Sequence, residues 1–410
     1  MEALGSVFQI VPPIVRRDDN GFAMDADFAF SLKVYLRYFK SFTIACPVLA
    51  EDHIGSGLGN CIPFKDLSLQ EDQFKFIPLP LTFNPIRFQL GLMKHKKRIR
   101  EEAKKANYII VTPYSPVADW PSIAIKEARY LNKPYAIEAD GVHGDINRKR
   151  FLSESLIKRL IQLKILYPYF DFKYKNHLKN SKIGIFQGRD VYNAYYPHCP
   201  NAHELNHHIP IYGGDHISEA QAAKKISDIR SGAPLKIVYS GRAVDMKGPL
   251  LWIETLLEMR RVGIKFEASW VGDGPMLSDM RAKIYEHKLQ NVFLPGFCHV
   301  RSELYNTIKE SHVFMFCHTT LESARILGES LACGTPIVGF ESDYPVGLTE
   351  ERGGGSFTAH DPISLANSLA ELDANRDALA ALVGDAILTG ARFNREEALI
   401  ERALLVKGMR

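Results

Sequence analysis

Cysteine is sparse: six in 410 residues, at positions 46, 61, 199, 298, 317 and 333, with no Cys-x-x-Cys pair. That spacing excludes the common zinc-ligand patterns, and a disulfide framework is not expected in a chain this long. The thiols read as reduced and the protein as cytoplasmic. Net charge is nearly absent as well. The 51 Lys and Arg against 47 Asp and Glu leave +4, too little to imply nucleic acid as a partner. No apolar run approaches the ~20 residues that span a bilayer. The stretch MEALGSVFQIVPPIV has no basic region ahead of a long apolar core, so it does not read as a signal peptide. There is no short-period repeat and no low-complexity segment. No Gly-x-Gly-x-x-Gly follows a first strand, which an NAD-dependent oxidoreductase would need.

What remains is ordinary for a globular protein: 46% apolar and 24% charged residues, and enough length for two or three domains. Strand-like apolar runs recur in the second half at 235–240, 266–271, 292–294, 313–316 and 336–340. Helix-period segments at 250–261, 276–289, 301–311 and 323–332 lie between them. This alternation predicts a parallel sheet covered by helices on both faces, with ligands at the edge where strands lead into helices. The first half has a looser version of the same rhythm. Strands are expected at 8–15, 42–49, 108–112, 135–139 and 183–186, and a helix at 29–39 behind Asp25 and Asp27. That Asp-x-Asp pair reads as a helix start rather than a metal site. The domain boundary is expected near 225–234, where KISDIRSGAP precedes a strong strand. The fold class is therefore α/β: an N-terminal domain at 1–230, a C-terminal domain at 231–390, and a helix-like tail at 391–410.

Several loops carry chemistry. After the 235–240 strand, SGRAVDMKGP offers Gly241, Arg242, Lys247 and Gly248. A guanidinium can hold phosphate oxygens bidentately and an ammonium adds a point charge, so a diphosphate suits this edge. Alone, the loop also reads as two solvated cations. VGDGP, with Gly272 and Gly274, and LPGF, with Phe297, end the next two strands. After the 313–316 strand comes CHTTLESARILGESLACG. A helix start here offers N–H groups and partial positive charge to an anion. Glu329 can accept from a pair of hydroxyls, and Glu322 from a second polyol. Alone, Glu322 also reads as complementing the helix dipole and Glu329 as a solvated helix residue.

In this order, GRxxxxKG, VGDGP, LPGF, a glutamate ahead of ESLACGTPIV, the turn 353–355 and HDPISLANSL, residues 235–375 resemble the C-terminal domain of retaining GT-B glycosyltransferases, in particular glycosyltransferase family four. The resemblance implies two Rossmann-like domains facing across a cleft, with the 391–410 helix packing back toward the first. It implies that Arg242 and Lys247 grip the diphosphate of a nucleotide-sugar donor and that Glu329 binds ribose. Gly241, Gly272, Gly274 and Phe297 would line the donor. The backbone N–H groups of Ala324, Arg325, Ile326 and Leu327 would cradle phosphate. It implies no protein nucleophile, no metal and no cofactor. His143, in ADGVHGD, matches a histidine that contacts donor sugar or acceptor. The first signature glutamate departs from the family: Glu322 lies seven residues before Glu329, giving E-x6-E where E-x7-E is usual, and the glycine that normally follows is absent.

Two segments are basic. Residues 94–105 hold seven Lys/Arg against two Glu. Residues 148–175 hold eight against two acids, interleaved with aliphatic and aromatic residues. Such a surface fits anionic lipid at the inner face of a plasma membrane and a lipid-linked saccharide acceptor. It also reads as a core helix with a charged outer face. Because the signature is altered, a non-catalytic nucleotide-sugar-binding or scaffold protein is the rival reading.

Overall fold

The computed structural model describes residues 5–18, 21–50, 61–70, 72–81, 85–115, 118–142 and 160–409. The chain divides into two compact units. One comprises Met1–Gln187, Val191–His207 and Glu396–Arg410; the other comprises Gly188–Asp190 and His208–Arg395.

The first unit is built on a sheet with β1 (Ser6–Ile10), β4 (Ser41–Leu49), β6 (Phe74–Leu79), β7 (Tyr108–Val111), β8 (Tyr135–Ala139), β9 (Ile183–Gln187) and β10 (Ala202–Leu205). The parallel order is β10-β9-β8-β7-β1-β4, with β6 also pairing β4 in parallel. Strand β2 (Val15–Asp18) extends from β4. The antiparallel strands β3 (Gly21–Asp25) and β5 (Cys61–Pro63) follow it. The single strand expected at 8–15 is two strands, because Pro12 and Pro13 cannot donate to a ladder. Alternation places Ile109 and Val111 in one apolar cluster with Trp120 and Ile125. It places Tyr108 and Ile110 in another with Leu32 and Tyr35. Helices Trp120–Tyr130 and Ala26–Tyr35 thus cover opposite faces. Asp25 caps the latter by accepting from the Phe28 amide, 3.0 Å, as its helix-start reading requires.

Helix Arg395–Lys407 contributes to this unit. Its Arg402 donates through Nε to Glu138 Oε1 at 2.6 Å, and Gln9 donates to Glu138 Oε2 at 3.0 Å. The Arg402 guanidinium also lies over the Tyr35 ring, 5.2 Å from its centroid.

The second unit holds six parallel strands: β11 (Leu235–Ser240), β12 (Phe266–Val271), β13 (Val292–Gly296), β14 (Val313–Phe316), β15 (Ile337–Phe340) and β16 (Gly355–Thr358). Their order is β13-β12-β11-β14-β15-β16, a doubly wound sheet whose direction reverses between β11 and β14. Strand β13 runs two residues past its expected end, through Pro295; at the sheet edge a missing N–H is tolerated. The helix Glu219–Arg230, expected in the N-terminal domain, packs on Arg376–Gly390 and Arg301–Glu310, so the chain enters this unit at His208 rather than near 230. The Gly232–Pro234 segment resembles a linker but joins a helix to a strand inside one unit.

Candidate active site

The reversal between β11 and β14 places two loops side by side: 241–248 after β11 and 317–324 after β14. Their contact depends on Gly248, whose φ is +63°; a Cβ there would sit 2.1 Å from the Cys317 carbonyl oxygen. Thr319 N–H also donates to the Met246 carbonyl, 3.0 Å. The β11 loop is tied on its other side to the next two strand ends. Gly241 N–H donates to Val271 O at 3.0 Å, Ala243 N–H to Asp273 O at 2.9 Å and Gly272 N–H to Gly296 O at 2.8 Å. A Cβ on Gly272 would lie 2.0 Å from Gly241 O, so this glycine is required by loop packing alone. Phe297, just beyond β13, is 64% exposed, its ring edge-on to His299.

Lys247 and Glu322 meet at this junction. The ammonium donates to Glu322 Oε1 at 2.6 Å, with each side chain about six-sevenths buried, at 14% and 16% exposure. His318 Nδ1 lies 3.6 Å from the same carboxylate oxygen, and its Nε2 is 2.9 Å from the Tyr239 hydroxyl. Burial lowers the Lys247 pKa while Glu322 opposes that shift. Burial, helped by Lys247, holds His318 far below its ordinary value, so the imidazole is neutral. Arg242 is exposed.

Helix Arg325–Ala332 begins behind this cluster, with Ala324 as N-cap and no side chain capping it. Glu329, one turn in, is buried. Tyr305 donates to its Oε2 at 2.9 Å, and Arg325 Nε lies 3.6 Å from its Oε1. Burial and the neighbouring Glu329 carboxylate raise the Tyr305 pKa, keeping the phenol a donor. Arg301 stacks over the Tyr305 and Tyr212 rings at 4.8 and 4.9 Å and bonds Asp215 at 2.9 Å. Of the four amides expected to cradle phosphate, two are spent inside the turn: Ala324 N–H bonds Glu322 O and Leu327 N–H bonds Ala324 O, both at 3.0 Å. Asp190 supports this region by accepting from the Tyr344 amide at 2.9 Å, and the Tyr344 hydroxyl lies 3.1 Å from His208 Nε2.

The second unit therefore brings Gly241, Lys247, Glu322, Ala324 and Arg325 to one strand-end region, with Ile326, Leu327 and Glu329 on the helix behind it. His143 lies outside the described residues. Among the described residues, no group of three or more His, Cys, Asp or Glu is arranged to hold a metal ion. Tyr305, Tyr239, Arg301 and Asp190 were missed by sequence reasoning. Each lies within an apolar-period helix, a buried strand or a connecting segment, and no local pattern marks it.

Residues 221–387 match the family model described as glycosyl transferases group 1. Protein CapJ of Staphylococcus aureus is 25% identical over 336 residues, covering 79% of this chain and 75% of that protein. Among solved structures, HepE of Anabaena in complex with UDP aligns with TM-score 0.67 and 13% identity, over 99% of this chain and 100% of its own. WaaG, a glycosyltransferase involved in lipopolysaccharide biosynthesis, aligns with TM-score 0.65 and 13% identity, over 98% and 100%. Residues 221–387 thus resemble a glycosyl transferases group 1 domain, and the chain has the two-sheet GT-B fold seen in solved glycosyltransferases.

Proposed function

We propose that this chain is a retaining glycosyltransferase that moves a sugar from a nucleoside-diphosphate sugar to a saccharide acceptor. The observation that carries this reading is the convergence, at the β11–β14 reversal, of Arg242 and Lys247 with a helix start and the buried Glu329. Cations and a helix N-terminus suit a diphosphate, and a fixed carboxylate suits vicinal ribose hydroxyls. HepE, of the same fold, has been solved with UDP and with UDP-glucose.

In this reading no side chain attacks the sugar. The acceptor oxygen bonds the anomeric carbon on the face from which the diphosphate leaves, and the departing phosphate oxygen takes the acceptor proton. The protein contributes positioning and stabilises the negative charge of the leaving group. Arg242, Lys247 and the helix start supply the balancing positive charge without a metal, so turnover is expected to persist in EDTA. Lys247→Ala should lower activity by at least a hundredfold and weaken nucleoside diphosphate binding, with unchanged circular dichroism. Retention is checked by the anomeric configuration of the product in NMR. If the site holds nucleotide sugar yet releases no diphosphate with any saccharide acceptor, the scaffold reading replaces the catalytic one.

The acceptor in this proposal is lipid-linked, at the cytoplasmic face of a membrane, in synthesis of a cell-surface polysaccharide or glycolipid. The supporting observation is on the described part of the second basic segment. Leu160, Ile161, Ile165, Tyr169 and Phe172 are exposed at 49–72% along one helical stretch, beside exposed Lys164. That arrangement favours an interfacial helix over a core one. No described helix is long and apolar enough to cross a membrane. Sedimentation with anionic and neutral liposomes tests attachment, and equal, negligible binding to both rejects it.

A further inference from the structure

Glu322 stands one residue out of register with the first glutamate of the signature that residues 235–375 resemble, and its carboxylate is already paired within the loop junction. Lys247, the expected diphosphate ligand, donates to Glu322 Oε1 at 2.6 Å, and His318 backs the same oxygen at 3.6 Å. His318 is itself held by the fully buried Tyr239. The stem of Lys247 is confined too, since it sits in the short turn Asp245–Lys247 that Gly248 presses onto Cys317.

We infer that Glu322 and the donor diphosphate compete for the Lys247 ammonium, so that Glu322 acts through Lys247 to hasten release of the nucleoside diphosphate product. The inference rests on the donor-site reading above. A phosphate that takes this ammonium must displace or share with a carboxylate already bonded to it. Two anions on one largely buried cation repel each other at close range. The pairing therefore weakens diphosphate binding relative to the same site with a neutral residue at 322. After transfer it supplies the partner to which Lys247 returns as the product departs. Glu322 is here a positioning residue, not a ligand of the sugar.

The test starts with the full chain and thermal shift in UDP, GDP and ADP, to choose the diphosphate that stabilises it most. Calorimetric titration with that compound then compares wild type, Glu322→Gln, Glu322→Ala, Lys247→Met and the double variant Glu322→Gln/Lys247→Met. Removing the carboxylate should lower Kd about tenfold in both single variants at 322, a factor worth ~1.4 kcal/mol. It should also deepen product inhibition while kcat falls. In the Lys247→Met background the same change should move Kd by less than twofold. The inference is overturned if Glu322→Gln and Glu322→Ala bind the diphosphate as wild type does or more weakly. It is equally overturned if the gain persists without Lys247, because Glu322 would then act only through its general field. If none of the three diphosphates stabilises the wild type, the donor-site reading itself fails and this inference falls with it.

Discussion

Glu329 takes its definition from a hydroxyl 24 residues earlier in the chain: Tyr305 donates to one of its oxygens from the neighbouring helix. A carboxylate this buried and fixed is pre-aimed, which spares a ligand the ordering of the side chain. Tyr305→Phe should leave the fold intact and raise KM for the donor several-fold, a cost of about 1 kcal/mol, with kcat nearly unchanged. An unchanged KM would show that the bond serves packing alone. Asp190 presents a different residue-scale effect. Burial pushes its carboxyl up to about 7 against the pull of the Tyr344, Asp343 and Glu322 amides. Between about pH 4 and pH 7 the folded state keeps a proton that the unfolded chain has lost, so this group destabilises progressively as pH rises through that window. Asp190→Asn should stabilise by about 4 kcal/mol at pH 8 and by almost nothing at pH 4, read from urea unfolding. The charged donor residues were legible because glycines and charges punctuate strand ends in a recognisable order. Tyr305 and Asp190 were not, since their value comes from contacts across 24 and 154 residues that leave no local pattern.

Among elements, those with a single strong period were readable. Val313–Phe316 is a wholly buried, unbroken apolar run, and Leu235–Ser240 is almost wholly buried with only Lys236 and the terminal Ser240 interrupting its apolar residues. Residues 353–355 read as a turn from sequence, and strand Gly355–Thr358, which begins there, is not predicted. It is half-buried on the sheet edge and follows two left-handed glycines, so turn chemistry hides the strand. The junction of the two donor loops depends on one glycine. Gly248→Ala puts a Cβ against the Cys317 carbonyl in a left-handed conformation, and the loops must part. We expect a loss of several kcal/mol in the second unit and of nucleoside diphosphate binding, measured by thermal melting and titration. In the first unit, Arg402→Met leaves Glu138 buried with its guanidinium gone. The expected loss is about 3–5 kcal/mol by denaturant unfolding, much of it recovered when Glu138 is also made Gln.

For the whole molecule, buried neutral histidines set the acid limit. Desolvation, with nearby cations adding to it, lowers His177 to about 3; desolvation likewise lowers His208 to about 3. The unfolded chain takes up these protons below about pH 6.5, whereas the folded chain does not until about pH 3, so stability falls as pH drops through that interval. Each group contributes a slope of about 1.4 kcal/mol per pH unit, and Asp190 offsets one of the two. Denaturant unfolding should therefore show lower stability at pH 4.5 than at pH 6.5, with the slope reduced in His177→Leu. A flat profile would mean that these imidazoles take up protons in the folded state.

The bond between Glu138 and Arg402 joins residues 264 positions apart, across the entire second unit. Emerging from a ribosome at roughly 5–20 residues per second, the chain exposes Glu138 tens of seconds before its guanidinium exists. In that interval Glu138 has, among the described residues, no cation paired with it, while residues 208–395 are already synthesised in full. The unit that begins the chain is thus the later one to be completed, and its final closure is timed by the last helix.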